Sequence, residues 1–539
     1  MSALGRVPLI GALSIAAAIV CGPQAMARAP LPGQHGHFGP YMAPFVATPG
    51  TTSGTWQHLI NAFPGAAFPD TALLLTDGTV MMHDGCTRHW FKLTPDNTGS
   101  YVNGTWTQTA NMPAAYQPLY VASQVLPDGR LIVQGGEYNR CEEAFTTLGA
   151  LYDPVANQWT AVPPPTGWAS IGDAQSVVLA DGTYMVADCC GATLGTGPEA
   201  ALATINGTTV TFTSTGTGKA DDYDEEGWTI LPDQTILTVD AALGHTLNHS
   251  QSEIYTAATG AWSRTANTTA RIEDPSSEEI GPAVLMPNGK VLQIAGNSDG
   301  SANARSYSNI YDPLARTWSK GPVLPKVGGA FYSAEDAPAA LLPSGNILVQ
   351  LSPAYTCSVN GSLSAFCAPS HFFEYNGTGF VQVSEPADAP NIASFEGRML
   401  VLPTGQILWS SDTGDVEVYT PRGTPKDTWR PTISSAPTKA KLGSKNNVVH
   451  GTMFNGLSLG ASYGDDAQMS TNYPLVRITN NATGHVCYAR THDHATMGIS
   501  DGGTTSTRFD VPATCEAGVS KLQVIANGIA SVVVRIRLL

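Results

Sequence analysis

Acidic side chains recur at one position of a repeated pattern, directly before the apolar run that opens each repeat. They are Asp173, Asp224-Glu225, Glu278-Glu279, Glu335-Asp336 and Glu396. Acidic residues are unfavourable in strands, and carboxylates that converge repel one another and raise one another's pKa. Fold stability alone gives no reason to collect them, so the pattern indicates a site. The alternative is a set of solvated loop carboxylates that happen to precede each strand.

Converging carboxylates have two main chemical uses. With backbone carbonyls and water they bind a hard cation such as Ca²⁺, which takes about 6–8 oxygen ligands. A carboxyl pair about 5–9 Å apart instead serves as acid and base in glycoside cleavage. The candidate catalytic residues are Asp173, Glu225, Glu279, Asp336 and Glu396.

A second set of side chains is expected on the same face. Aromatic rings over a polar funnel suit a sugar, and arginine holds a uronate carboxylate through two hydrogen bonds. A histidine there would act as the base in a lyase reaction. Taken singly, these residues also fit packed aromatics and solvated loop charges. The substrate-binding candidates are Arg88, His89, Tyr138, Arg140, Trp168 and His245.

Two histidines near the C-terminus suggest a metal site. His492 and His494 stand two apart, so a strand would place both rings on one face. If they lie beneath the carboxylates, they would add a borderline metal such as Zn²⁺ or Mn²⁺. The alternative is a packed pair with one ring hydrogen-bonded to Asp493.

A repeated hairpin must position these residues. An apolar run, a tight turn and a second apolar run occur seven times, at a spacing of 51 to 60 residues. The turns lie at Asp77, Asp128, Asp181, Asp233, Asn288, Ser344 and Thr404. Most repeats add a third strand and a fourth that carries a tryptophan, as at Trp106, Trp159, Trp262 and Trp318. The sequence therefore predicts an all-β chain with a seven-bladed kelch-type β-propeller over residues 51–430. Trp56 would supply the outer strand of the last blade.

Both ends of the chain differ from the repeat. Residues 431–539 contain about seven short strands, which predicts an immunoglobulin-like β-sandwich. Residues 1–27 combine a positive charge, an apolar stretch and an Ala-Met-Ala cleavage site, which is typical of a signal peptide. Residues 28–50 are predicted to be a flexible leader. We therefore expect a secreted or periplasmic protein.

Composition excludes several classes of protein. Of the 539 residues, 27 are Lys or Arg and 43 are Asp or Glu, so the formal net charge is −16. Such a chain cannot neutralise a phosphate backbone, which argues against nucleic-acid binding. An apolar content of 42% argues against disorder. After the signal peptide no segment is long and apolar enough to span a membrane. We expect a monomer.

The cysteines suggest disulfides. Nine are present, and Cys21 falls in the predicted signal peptide. Pairing of near neighbours would join Cys86 to Cys141, Cys357 to Cys367 and Cys487 to Cys515. The adjacent Cys189 and Cys190 would form either a strained disulfide or two thiols.

The chain resembles the galactose oxidase and glyoxal oxidase-like family, which combines a kelch propeller with a C-terminal early-set immunoglobulin-like domain. The resemblance is clearest in FEGRMLVLPTGQILW and in YPLVRITNN followed by RTHDHATMGIS. It implies a copper ion on the propeller axis, a cysteine-linked tyrosyl radical, a Tyr-His pair and a histidine from the C-terminal domain. At the matching positions stand Tyr120, Asp173, Phe395, Glu396 and His492. Only the last retains its type, which argues against a copper-tyrosyl radical.

The sequence thus predicts a secreted carbohydrate-active enzyme, a hydrolase or lyase acting on a glycan or small sugar, with Ca²⁺ or another divalent cation as the expected cofactor. The first alternative is a divergent metal-dependent oxidase that uses His492, His494, Glu396 and Tyr120. The second is a non-catalytic protein that binds a glycan or the cell wall.

Overall fold

The structure, a computed structural model, describes most of the chain after residue 53. The described ranges are 54–191, 195, 197–244, 250–275, 277–297, 305–354, 357–359, 362–364, 366–464 and 469–539, with the side chains at 244 and 357–364 left out. The predicted signal peptide, the predicted leader and His245 lie outside the described residues. Within these ranges, no helix combines the length and the apolarity needed to cross a bilayer.

The first half of the chain forms short antiparallel meanders, which we number as units in chain order. A separate strand, β1 (Thr55–His58), comes first, and unit one then holds β2 (Pro69–Leu74), β3 (Val80–Asp84), β4 (Trp90–Thr94) and β5 (Thr105–Gln108). The segment of unit two contains β6 (Pro118–Leu119), β7 (Ala122–Val125), β8 (Leu131–Gln134), β9 (Tyr138–Asn139), β10 (Glu142–Glu143), β11 (Gly149–Asp153) and β12 (Gln158–Ala161). In it, β6, β9 and β10 form a small sheet of their own. Unit three contains β13 (Ser176–Val178), β14 (Tyr184–Asp188), β15 (Glu199–Asn206) and β16 (Thr209–Thr215).

The pattern continues to residue 420. Unit four contains β17 (Thr229–Ile230), β18 (Ile236–Asp240), the one-turn α1 (Ala241–Gly244), β19 (Gln251–Thr256) and β20 (Ala261–Arg264). Unit five contains β21 (Ala283–Leu285), β22 (Val291–Gln293), β23 (Tyr307–Asp312) and β24 (Thr317–Val323). The segment of unit six contains β25 (Lys326–Val327), β26 (Ala330–Ser333), β27 (Pro338–Leu341), β28 (Ile347–Pro353), β29 (Cys357–Val359), β30 (Ser362–Ser364), β31 (His371–Tyr375) and β32 (Phe380–Gln382). Unit seven follows two 3₁₀ turns, Ala389–Asn391 and Ser394–Glu396, and contains β33 (Gly397–Val401), β34 (Ile407–Ser411) and β35 (Val416–Thr420).

The units close into a ring. The innermost strand β2 contacts β7 of the next unit and also β33 of unit seven. On the outside, β1 pairs with β35, with Trp56 opposite Tyr419, so the start of the chain completes the last unit as predicted. Among the described residues, units one to five and unit seven each have four strands on one path, whereas β27, β28, β31 and β32 of unit six belong to a seven-stranded sheet. The count of seven blades stays a prediction. The predicted all-β, propeller-type fold is confirmed.

The hairpin turns follow the chemistry that the sequence indicates. In the turns led by Asp77 and Asp128, the next residue is a glycine with a φ of 78° or 82°. The Asp77 carboxylate accepts hydrogen bonds from the amide and hydroxyl of Thr79. Glycine is the residue that reaches such a φ without steric cost.

The C-terminal segment forms a further sheet. A 3₁₀ turn, Asp427–Trp429, leads into β36 (Thr432–Ser435), β37 (Lys439–Ala440), β38 (Asn447–Thr452), β39 (Ala461–Tyr463), β40 (Leu475–Asn480), β41 (Val486–His492), β42 (Thr505–Asp510), β43 (Gly518–Ala526), β44 (Ile529–Ala530) and β45 (Val534–Leu538). All except β39 belong to one sheet, whereas β39 pairs with β27 of unit six. The immunoglobulin-like assignment and the domain boundaries stay predictions.

Three of the predicted disulfides can be compared with the structure. Cys86 is bonded to Cys141, and Cys487 is bonded to Cys515, both as predicted. The two open alternatives at Cys189 and Cys190 resolve to a bond between the neighbours. The proposed partner of Cys367 has its side chain outside the described residues.

Candidate functional site

The predicted carboxylates stand where the chain enters the inner strands of the propeller. Several of these positions adopt a left-handed backbone that non-glycine residues rarely occupy. The φ angles are 53° at Glu225, 73° at Glu278 and 44° at Asp336. Strained backbone of this kind collects at functional sites because the surrounding structure must hold it.

Three of the five candidate catalytic carboxylates form one group. One carboxylate oxygen each of Glu225, Glu279 and Asp336 lies within 4.8 Å of the other two. They come from the entries to units four, five and six, so only closure of the ring brings them together. Carboxylate oxygens at this spacing are the ligands that a hard divalent cation prefers.

Asp173 lies beside this group rather than in it. Its oxygen is within 4.8 Å of an oxygen of Asp224 and of both sulfurs of the Cys189–Cys190 disulfide. Burial raises the pKa of the Asp173 carboxyl to about 6, and the charge of Asp336 adds to this rise. The Asp173 carboxyl therefore holds its proton at a pH where an ordinary aspartate is ionised.

Glu137 is a member of the site that the sequence reasoning missed. Burial raises its pKa well above the ordinary value, and the charges of Asp173, Asp336 and Asp224 raise it further. A hydrogen bond with Tyr138 partly opposes the rise. Glu137 follows the second strand of unit two, which ends on the face where the first strands begin. Tyr138 and Arg140 follow the same strand and were predicted on this face, and their neighbour Glu137 would have been identified by the same position.

A buried glutamate flanks the group on the side of unit five. Glu335 Oε1 accepts a hydrogen bond of 2.9 Å from the amide of Asn297. Burial and the charges of Asp274 and Asp336 raise the pKa of Glu335 well above its ordinary value. The predicted Glu335-Asp336 pair therefore contributes both of its carboxyl groups to the acidic region.

Glu396 is not part of the group, which corrects the prediction of five converging carboxylates. Its 3₁₀ turn folds Glu396 Oε2 back onto the amide of Ala393 at 2.7 Å. Burial raises the pKa of Glu396, while the Ala393 hydrogen bond and the positive charge of Arg398 oppose the rise. It belongs instead to a separate ionic cluster.

Buried Arg398 is the centre of that second cluster. Its guanidinium lies 3.2 Å from Asp70 Oδ1 and donates to the carbonyl oxygen of Phe395 at 2.5 Å. It stacks 3.8 Å from the ring centroid of Tyr463, which in turn stacks on Tyr120 at 6.2 Å. An arginine with these partners is neutralised and hydrogen-bonded, as a buried charge must be.

The segment that enters the propeller channel is β39. Tyr463 touches Tyr120 at the start of unit two and Arg398 at the start of unit seven, and it pairs with Pro338 of unit six. A residue that contacts three units at once lies on the axis. At Gly464, the amide donates to the carbonyl oxygen of Ala337 at 2.9 Å, next to Asp336.

His492 and His494 lie away from the carboxylates, so the condition under which they would add a metal to that group is not met. His492 lies 3.0 Å from Asp493 and 3.2 Å from Asp510, and the His494 ring contacts the Thr507 hydroxyl at 2.8 Å. The amide of His494 donates to the carbonyl oxygen of Pro127 in a hairpin turn. These turns are at the opposite end of the inner strands from the carboxylates, so one strand length separates the two sets.

Of the predicted substrate-binding residues that the structure describes, Tyr138 contacts the acidic region. Tyr138 is buried beside the Cys86–Cys141 disulfide and shares a hydrogen bond with Glu137. His89 Nδ1 lies 3.7 Å from Asp84 Oδ2, and the Arg140 side chain is exposed. Arg88 and Trp168 are half-buried, and His245 lies outside the described residues.

Comparison with known proteins gives limited matches. No protein-family model matches the chain. The kelch-like protein terF of Aspergillus terreus is 37% identical over 86 residues, which are 16% of this chain and 18% of that protein. The chain thus spans less than a fifth of the length of this curated relative. The match agrees with the kelch-type repeat predicted from the sequence.

Solved structures with a similar chain path include two enzymes. One is a fungal alcohol oxidase of the AA5 family in complex with copper, 16% identical, covering 87% of this chain and 85% of that one at a TM-score of 0.41. The other is a catalytically inactive virginiamycin B lyase from Staphylococcus aureus with quinupristin, 9% identical, covering 68% and 99% at a TM-score of 0.44.

Proposed function

We propose that the carboxylates of the channel mouth bind a divalent cation and act on a polyhydroxylated substrate, a glycan or small sugar, by acid and base catalysis. The observation that carries this proposal is the group formed by Glu225, Glu279 and Asp336, with oxygens within 4.8 Å of one another. Three carboxylates suit Ca²⁺, which fills its remaining positions with carbonyl oxygens and water.

The adjoining acids supply the proton chemistry. With a pKa of about 6, Asp173 keeps its proton in mildly acidic solution and can donate it to the oxygen of a breaking glycosidic bond. An ionised carboxylate of the group would take the proton from the attacking water, so one water is consumed for each bond cleaved. A bound cation would hold substrate hydroxyls and offset the negative charge of the site.

The proposal includes family, cellular location and assembly. The chain would be a divergent galactose oxidase-like protein whose copper ligands are replaced, since Asp173 and Phe395 provide neither a radical nor a copper ligand pair. The two disulfides Cys86–Cys141 and Cys487–Cys515 suit an exported protein. We expect it to act as a monomer.

The first test is cation binding by the full chain. Protein purified without chelator should carry calcium by plasma mass spectrometry, and calorimetry should show one Ca²⁺ site. Glu279→Gln and Asp336→Asn should each weaken Ca²⁺ binding at least tenfold. Glu142→Gln, at an exposed strand position, is the matched control and should leave binding unchanged. Stoichiometric copper together with peroxide production would instead favour the oxidase alternative.

The second test is turnover on a panel of glycans. Release of reducing ends should fall by about 10²–10⁴ in Asp173→Asn, the range expected for loss of a general acid. The Glu142→Gln variant should keep full activity. A panel without any turnover, but with glycan binding that Asp336→Asn weakens, would point to a binding protein.

A further inference from the structure

The Cys189–Cys190 disulfide, which the proposed hydrolysis does not use, belongs to a cluster of four potential metal ligands. The two sulfurs and one oxygen each of Asp173 and Asp224 all lie within 4.8 Å of one another. The cysteines are 0% and 1% exposed. Nothing in acid and base catalysis requires sulfur at this place.

We infer that, once its disulfide is reduced, the cluster is a binding site for a thiophilic divalent ion such as Zn²⁺, with the two thiolates and the carboxylates of Asp173 and Asp224 as ligands. The inference is independent of the proposed hydrolysis, although Asp173 belongs to both sites.

The dimensions of the cluster fit one ion. A Zn–S bond is about 2.3 Å and a Zn–O bond about 2.0–2.2 Å, so ligand atoms around zinc lie no more than about 4.6 Å apart. The four ligand atoms all lie within 4.8 Å of one another, so the carboxylates need only small rotations, while the two sulfurs must move apart to about 3.8 Å once the disulfide is reduced. Sulfur ligands select Zn²⁺ or Cd²⁺ over Ca²⁺, so this site and the carboxylate group differ in metal preference.

The surroundings of the cluster favour a bound cation over two free thiolates. Asp173 Oδ1 is buried and accepts no hydrogen bond from the residues that the structure describes. Burial among carboxylates disfavours a free thiolate, so the cation must supply the balancing charge. Gly172 has a φ of 62° and carries no Cβ, and a Cβ there would lie 2.2 Å from the sulfur of Cys189. Position 172 is thus kept clear for sulfur.

Opening the site is a balanced two-electron reaction. A phosphine reductant attacks one sulfur, the S–S bond breaks, and water completes the step to give two thiols and one phosphine oxide. Binding of the ion then forms two metal–sulfur bonds and releases two protons.

The test uses Co²⁺ as a spectroscopic probe on the full-length folded protein, before and after phosphine treatment. Reduced protein should bind one equivalent of Co²⁺ with thiolate-to-metal charge-transfer absorption, and Zn²⁺ should displace it. Alkylation followed by peptide mass spectrometry shows whether Cys189 and Cys190 have opened. The oxidised protein should show no such band.

Variants separate this site from the others. Cys189→Ser with Cys190→Ser should abolish the charge-transfer band, and Asp224→Asn should weaken Co²⁺ binding at least tenfold. Cys487→Ser with Cys515→Ser should keep the band, because that disulfide lies in the C-terminal sheet. An equal band in the Cys189/Cys190 double variant, or a bond that stays closed under phosphine in folded protein, overturns the inference. Neither result bears on Ca²⁺ binding by Glu279 and Asp336, so the two proposals fail separately.

Discussion

At the scale of single residues, burial and the neighbouring charge of Asp336 both raise the pKa of the Asp173 carboxyl. The pKa of this carboxyl rises from 3.8 to about 6 in the folded protein. The folded state therefore binds the proton more tightly than the unfolded state does. This stabilisation is complete below about pH 4 and is lost as the pH rises to about 6.

Asp173→Asn should remove this pH dependence. The stability of the wild type relative to the variant should fall between about pH 4 and 6, by no more than about 3 kcal/mol at 1.36 kcal/mol per pKa unit. Urea unfolding of both proteins across this range measures it. Parallel pH profiles of the two proteins would show that Asp173 does not hold the proton.

Lys219 is a buried cation that forms ion pairs with several buried carboxylates. Its Nζ contacts Asp221, Glu226 at 2.6 Å, Asp240 at 3.5 Å and Glu253 at 3.2 Å, all within unit four and the segment that precedes it. Burial opposes the charged form of Lys219, but the carboxylates outweigh it and raise its pKa well above the ordinary value.

Lys219→Met should destabilise the protein by about 3–5 kcal/mol, because it leaves buried carboxylates without their partner. Lys439→Met, at the exposed first position of strand β37, is the control and should change the free energy of unfolding by less than about 0.5 kcal/mol. Chemical denaturation compares the two. Equal effects would mean that the carboxylates are neutral and need no cation.

At the scale of elements, the hairpin turns bind the propeller to the C-terminal sheet. Gly78 has a φ of 78°, and a Cβ there would lie 2.4 Å from Cγ of Tyr488 on β41. Gly207, in the β15–β16 turn, has a φ of 59° and no atom within 4 Å of such a Cβ. The pair therefore separates backbone strain from packing.

Gly207→Ala should cost about 1–2 kcal/mol, the cost of a left-handed residue that is not glycine. Gly78→Ala should cost about 1–3 kcal/mol more, because the ring of Tyr488 is held close to its own backbone. Thermal unfolding of both variants measures the difference. Identical losses would show that the turn and β41 are not in firm contact.

These elements also show how much of the fold and of the candidate site could be predicted from the sequence. Turns, strand pairs and outer-strand tryptophans follow from signals within about 15 residues, so the repeat and the role of Trp56 were predicted. The Arg398 cluster depends on which units meet, and no local signal reports that. His492 was misplaced because its ring is satisfied across strands by Asp510. Tyr463, the residue on the axis, lies in a segment with no repeat to count from.

At the scale of the whole molecule, the site exists only while the ring is closed. Glu225, Glu279 and Asp336 belong to three different units, and unit seven is completed by β1 from the other end of the chain. Pairing β1 with unit seven closes a loop that contains the whole propeller. The entropy cost of closing a loop grows only slowly with its length, so a few outer-strand contacts can keep the ring closed. Trp56 provides them, with its indole N–H donating to the carbonyl oxygen of Ser384 at 2.7 Å.

Trp56→Ala should therefore loosen the ring more than the same change at Trp106, the equivalent outer-strand residue of unit one. Trp56 packs against Phe372 and Tyr419, at ring distances of 5.0 and 4.8 Å, more than 300 residues along the chain. Trp106 instead packs against Phe63 at 5.4 Å and donates its indole N–H to the carbonyl oxygen of Asn61, 45 residues back in the segment that leads into unit one. Hydrogen exchange should become faster across units one and seven in Trp56→Ala, and Ca²⁺ affinity should fall with it. In Trp106→Ala the change should stay within unit one and the segment that leads into it. Exchange confined to unit seven in the Trp56 variant, with unchanged Ca²⁺ affinity, would show that the mouth does not depend on closure by β1.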